Sequence, residues 1–222
     1  MDEARRLVRY VFPGILYGIE TSFFLWIVLP DWTSQVLSSA LTLSSLGGVL
    51  AATLASGAIG YVFATLHHWL HWHSPTDLNI IDHTQAIRDL RRDGVLPNRD
   101  ADEHPRLEAF DTMTAEWSIR STDGTPCANA TERARAFGDL AHSAGTARVA
   151  SALALLTAIT TCMIVAKWTT TTPAVLRYIF MLLLGILLTA LFHETYRRTG
   201  GMGQRFYERV LERALRERRV DG

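Results

Sequence analysis

The feature that most restricts this chain is a pair of apolar blocks, Val11 to Trp72 and Ala147 to Phe192, flanking a polar segment from Ser74 to Ala144. A bilayer's hydrocarbon core takes about 20 apolar residues per helical crossing, so each block has room for two. Inside hydrocarbon every backbone N–H and C=O must find its partner within the chain, which makes these blocks helical. The expected fold class is therefore an all-α integral membrane protein with four transmembrane helices. A small, mostly helical cytoplasmic insertion joins helices 2 and 3, and an amphipathic C-terminal helix follows the fourth.

The expected boundaries are a transmembrane hairpin over 1–73, with spans at about 8–30 and 46–72, and a cytoplasmic domain over 74–144. A second hairpin occupies 145–198, with spans at about 147–168 and 174–193, and a basic tail covers 199–222. Asp31 to Ser45 reads as a short loop. Arg5, Arg6 and Arg9 precede an apolar run that is too long for a cleavable signal peptide.

Nearly all arginines fall in the N-terminus, the middle segment and the tail, whereas the two short loops hold only Lys167, at the end of span three. By the positive-inside rule both termini and the middle segment are cytoplasmic. Lys167 is the sole lysine, and this arginine bias points to a GC-rich genome and a prokaryotic inner membrane. Formal net charge is +0, so no global basic field argues for nucleic acid. Cys127 falls in a polar segment and Cys162 in an apolar span, which argues against a mutual disulfide and gives no zinc spacing.

Polar positions inside the spans are functional candidates, because an unpaired charge there is costly. Glu20 stands near mid-depth of span one, and Arg177 about one turn inside the outer end of span four, free to snorkel outward or to reach toward Glu20. Span two carries Gly48, Ala52, Ser56, Gly60 and Ala64 at four-residue intervals, a face that lets two backbones approach closely. This face is expected to pack helices tightly and to assemble a homo-oligomer.

Span two ends in Leu66-His67-His68-Trp69-Leu70-His71-Trp72-His73, which holds four of the eight histidines. If the helix continues, His67 and His71 extend the small-residue face, His68 lies at its edge, and Trp69 and His73 point away. His193, at the inner end of span four, falls at the same depth. An i, i+4 histidine pair with a third ligand from another helix suits zinc or iron, which makes His67, His68, His71 and His193 candidate metal ligands. Asp77 or Glu194 is the candidate extra ligand or base. Interfacial packing and pH sensing explain the same histidines without a metal. Repeated paired-histidine boxes, as in membrane oxygenases, are not present: His83, His104 and His142 are isolated.

Asp82 to Asp93 has helical spacing with Gly94 as its stop, a short helix is expected around Arg106 to Met113, and Glu116 to Cys127 suits a strand or an ordered loop. A further helix opens after Asn129 or Thr131 and runs toward span three. The Gly200-Gly201-Met202-Gly203 run reads as a hinge before the tail helix, whose apolar side is Phe206, Val210, Leu211 and Leu215. That helix suits an anionic leaflet, the middle domain or a neighbouring subunit.

No phosphate-binding glycine loop, nucleophile motif or paired catalytic carboxylates stand in the chain. The expected function is an oligomeric prokaryotic inner-membrane protein acting as an effector, channel-like or scaffold component. Its cytoplasmic domain receives a protein or small-molecule ligand. The alternative is a metal-dependent membrane enzyme acting on a lipid-like substrate with the histidine cluster at the cytoplasmic interface.

Overall fold

The computed structural model describes residues 7–41, 46–73, 82–97, 104–121, 126–165 and 172–220. A π-helical turn, Leu7–Val11, leads into α1 (Phe12–Val28), and α2 (Pro30–Leu41) and α3 (Leu46–His73) follow. Then come α4 (Thr84–Arg92), α5 (Pro105–Arg120), α6 (Pro126–Val165) and α7 (Thr172–Val220).

Proline sets several of the boundaries. Leu29 leaves the helical region (φ −124°, ψ 59°) because a residue before proline is crowded out of it, and Pro30 opens α2. Pro105 and Pro126 stand at the first turns of α5 and α6, where a missing N–H costs nothing. Gly94, at φ 68°, ends α4. There Val95 N–H returns to Leu90 O and Gly94 N–H to Arg91 O, both at 2.9 Å, the paired bonds of a Schellman cap.

Among the described residues, three helices are long and apolar enough to cross a membrane: Arg9–Val28, Cys127–Val165 and Pro173–Arg216. The expected second span forms as helix α3 but is not one of the three, and the side chains at 41–50 lie outside the described residues.

Three local expectations are corrected. The loop expected at Asp31 to Ser45 is helical through Leu41. The helix expected around Arg106 to Met113 continues to Arg120, so Trp117 and Ile119 are helical and not in a strand or loop. No hinge forms at Gly200 to Gly203, because α7 continues through it. Gly203 instead makes room for a neighbour: a Cβ there would stand 3.1 Å from Phe137 Cβ.

The chain divides into two units, 1–73 with 142–196, and 74–141 with 197–222. In the first, Phe24 and Leu25 of α1 pack with Ala154, Ala158 and Cys162 of α6 and Met181 of α7. Phe63 of α3 packs on Val149 and Ala150 of α6. Between α3 and the stretch formed by the π-helical turn and α1 the backbones themselves meet: a Cβ on Gly14 would overlap the Ser56 carbonyl, and one on Gly60 the carbonyl of Tyr10 in the turn. The small-residue face of α3 is thus used inside the chain from Ser56 to Ala64, while Ala52 is exposed. Outward, α7 exposes Leu176, Ile179, Phe180, Leu183, Ile186 and Leu187.

The second unit has an ordinary apolar core of its own. Ile87 and Leu90 of α4, Met113 and Trp117 of α5, Cys127 of α6, and Leu211 and Leu215 of α7 close on one another. The tail helix therefore packs on the middle segment, one of the three placements its amphipathicity allows. Arg216 donates to Asp93 at 2.8 Å, and this bond holds the Asp93 carboxyl below its ordinary range.

Gly60→Ala forces the Tyr10 backbone away and is expected to destabilise the first unit by about 1–3 kcal/mol, as overpacking does. Gly18, with no heavy atom near its hydrogen, accepts alanine without loss. Thermal unfolding of the two variants in detergent measures the difference.

Candidate functional site

Within the first unit, α3, α6 and α7 enclose a polar cluster centred on Tyr196, which is 2% exposed. His71 Nδ1 and the Tyr196 hydroxyl are hydrogen-bonded at 2.7 Å. The His67 ring stands edge-on to the Tyr196 ring with centroids 5.2 Å apart, and lies 5.5 Å from the His142 ring. The Arg148 guanidinium sits 5.0 Å from the Tyr196 ring centroid and donates from Nη1 to His193 Nδ1 at 2.9 Å.

Glycine again creates the space. A Cβ on Gly145 would fall within the His67 ring, so only glycine on α6 lets this imidazole enter. His67 is 4% exposed, and its Nδ1 is buried with no hydrogen-bond partner among the described residues.

The sequence candidates separate into groups. His67 and His71 meet at Tyr196, and His193 joins the same cluster through Arg148. His68 is exposed and accepts a bond from Trp72 Nε1 at 3.1 Å. Glu194 is half-buried beside His193, and Asp77 lies outside the described residues. Trp69 and His73 point outward and stack at 5.1 Å.

Among the described residues, no group of three or more His, Cys, Asp or Glu side chains is placed to hold a metal ion. Of the candidate nitrogens, His71 Nδ1 is hydrogen-bonded to the Tyr196 hydroxyl. A guanidinium takes up His193 Nδ1, and that cation would repel a metal.

Glu20 is 6% exposed and accepts a hydrogen bond from Ser151 Oγ of α6. Arg177 is exposed and makes no ion pair with Glu20. One helical turn toward the N-terminus on α1, Tyr17 shares a hydrogen bond with Thr157 at 2.9 Å. These contacts join α1 to α6 where side chains otherwise offer only apolar surface.

Sequence reasoning missed Tyr196, Arg148, His142 and Gly145. A signal for one of them was available: Arg148 is the only cation between Arg135 and Lys167.

The second unit holds a different arrangement, a cavity of about 270 Å³ whose lining includes Phe110, Phe137, Gly138 and Tyr207, with His83, Gln204, Thr114 and Thr199 among its polar residues. Gln204 clasps the Asp82 backbone, its Nε2 donating to the carbonyl at 2.7 Å and its Oε1 accepting from the N–H at 3.2 Å. His83 Nδ1 meets Glu208 Oε1 at 2.9 Å. An ionised Glu208 places the proton on Nδ1 and leaves Nε2 as an acceptor. A cavity walled by aromatic rings with a few polar side chains suits a small, mostly apolar molecule.

No family model, curated protein or solved structure matches the chain. Its function is therefore read from geometry alone.

Gly145→Ala is expected to displace His67 and destabilise the first unit by about 1–3 kcal/mol, as overpacking does. In a His67→Ala background the same substitution loses its cost, since the ring it strikes is gone. A double-mutant cycle on thermal unfolding measures this coupling.

Proposed function

We propose that the protein is a four-span helical membrane protein, with both termini and the 74–144 segment on the cytoplasmic side of a prokaryotic inner membrane. It acts as a membrane effector or scaffold controlled through its cytoplasmic unit. The observation that carries this reading is the contrast between the two units. One turns large apolar side chains outward along α7, while the other buries its apolar residues in a core of its own.

The cavity beside His83 supports a small-molecule input to the second unit. The Ala51 to Ala55 stretch of α3, exposed and rich in small residues, is the surface through which copies of the chain associate. The metal-dependent enzyme receives no support from the histidine geometry: among the described residues no group of three or more His, Cys, Asp or Glu side chains is placed to hold a metal ion.

Topology reporters test the membrane placement. A reporter active only in the cytoplasm is expected to work when fused at the C-terminus or inserted near Arg99. It is expected to be silent after Ser44 or after Thr170. Cytoplasmic activity after Ser44 would remove the first hairpin from the account.

A further inference from the structure

We propose that Arg148, held against His193 and Tyr196, is a binding site for a phosphate group, carried by an anionic lipid headgroup or as free phosphate. The guanidinium is the starting point. It has five N–H donors, and the single hydrogen bond it makes within the described residues goes to His193 Nδ1. Among the described residues no salt bridge joins a carboxylate to it, and Glu20 accepts from Ser151.

The groups facing Arg148 supply no negative charge either. His193 and Tyr196 of α7 touch it directly, and His67 of α3 lies within its electrostatic reach. Behind them stand His71 of α3 and His142 of α6. A half-buried cation among imidazoles and a phenol is expensive unless an anion completes the site. The buried, unpartnered Nδ1 of His67 is a second polar group here that the protein leaves unsatisfied.

A freely snorkelling arginine would need no ligand. This one is held, its Cζ over the Tyr196 ring at 5.0 Å from the centroid and one nitrogen bonded to His193, so its remaining donors are available to a ligand. A guanidinium fork matches phosphate oxygens in pairs, and basic pockets between helices at the cytoplasmic boundary take phosphate headgroups. The lipid source rests on the membrane placement proposed above; the phosphate chemistry does not.

The test uses full-length protein in mild detergent, titrated with phosphatidylglycerol, phosphatidylcholine or inorganic phosphate and read by native mass spectrometry. Wild type is expected to hold phosphatidylglycerol at least about tenfold more tightly than phosphatidylcholine, the scale of one charge-assisted pair. Arg148→Gln is expected to abolish the preference, and Arg177→Gln, at an exposed position, to retain it. Arg148→Lys keeps the charge and loses the fork, so it is expected to weaken the preference even if the glutamine variant does not fold. Displacement of phosphatidylglycerol by inorganic phosphate would support the site and assign it to the soluble ion. Equal retention of both lipids by wild type together with no phosphate binding, or a preference unchanged in both Arg148 variants, overturns the proposal. A protein that remains dispersed without detergent removes the membrane placement. The phosphate arm then decides the site alone, with Arg148-dependent binding upholding it and no binding overturning it.

Discussion

The structure depends on one constraint: within the first unit, the apolar side chains that α7 turns outward are left exposed among the described residues. Of the most apolar window of Pro173–Arg216, only 11% of residues are buried. Leu183 and Ile186 are 63% and 59% exposed, and they belong to a run of apolar side chains and not to scattered surface residues. Water would impose on that surface about 25 cal/mol for each Å² of apolar area, a cost that an apolar surrounding would remove.

An apolar surrounding changes what can hold helices together. Leucine against leucine contributes little when lipid tails are equally apolar, so close packing and polar contacts must do the work. The first unit is built this way. Gly14 and Gly60 bring α1 and α3 to backbone contact, Gly145 admits the His67 ring, and Glu20 with Ser151 and Tyr17 with Thr157 tie α1 to α6. The second unit follows the opposite rule, with Met113, Trp117 and Leu211 in a common core and charged pairs such as Arg216 with Asp93 around it. One chain thus carries two packing chemistries, suited to two solvents.

The sequence made the first of these features legible and the second only in part. Apolar run length and the glycine and alanine spacing of α3 are local signals, and they identified the helices and the face through which α3 packs. The partner of that face is a long-range fact, and it proved to be α1 of the same chain for the stretch from Ser56 to Ala64. Histidine spacing placed His67, His71 and His68 toward the interior; the first two are buried there, while His68, at the edge of that face, is exposed. It could not reveal that a tyrosine one turn beyond His193, and an arginine from α6, would be the partners of His71 and His193. Gly200 to Gly203 misled for a physical reason: glycine in a helix signals either a break or a close neighbour, and Phe137, distant in sequence, decides for the neighbour.

The central claim, that the outward apolar face of the first unit meets hydrocarbon and the second unit meets water, is tested most directly by spin-label accessibility. Cys127 and Cys162, both buried, are first replaced, and nitroxides are placed at Leu156, Leu183 and Ile119, all more than half exposed. In lipid nanodiscs the labels at 156 and 183 are expected to collide with dissolved oxygen in preference to a water-soluble nickel chelate, and the label at 119 to show the reverse. Equal nickel accessibility at all three positions would contradict the account.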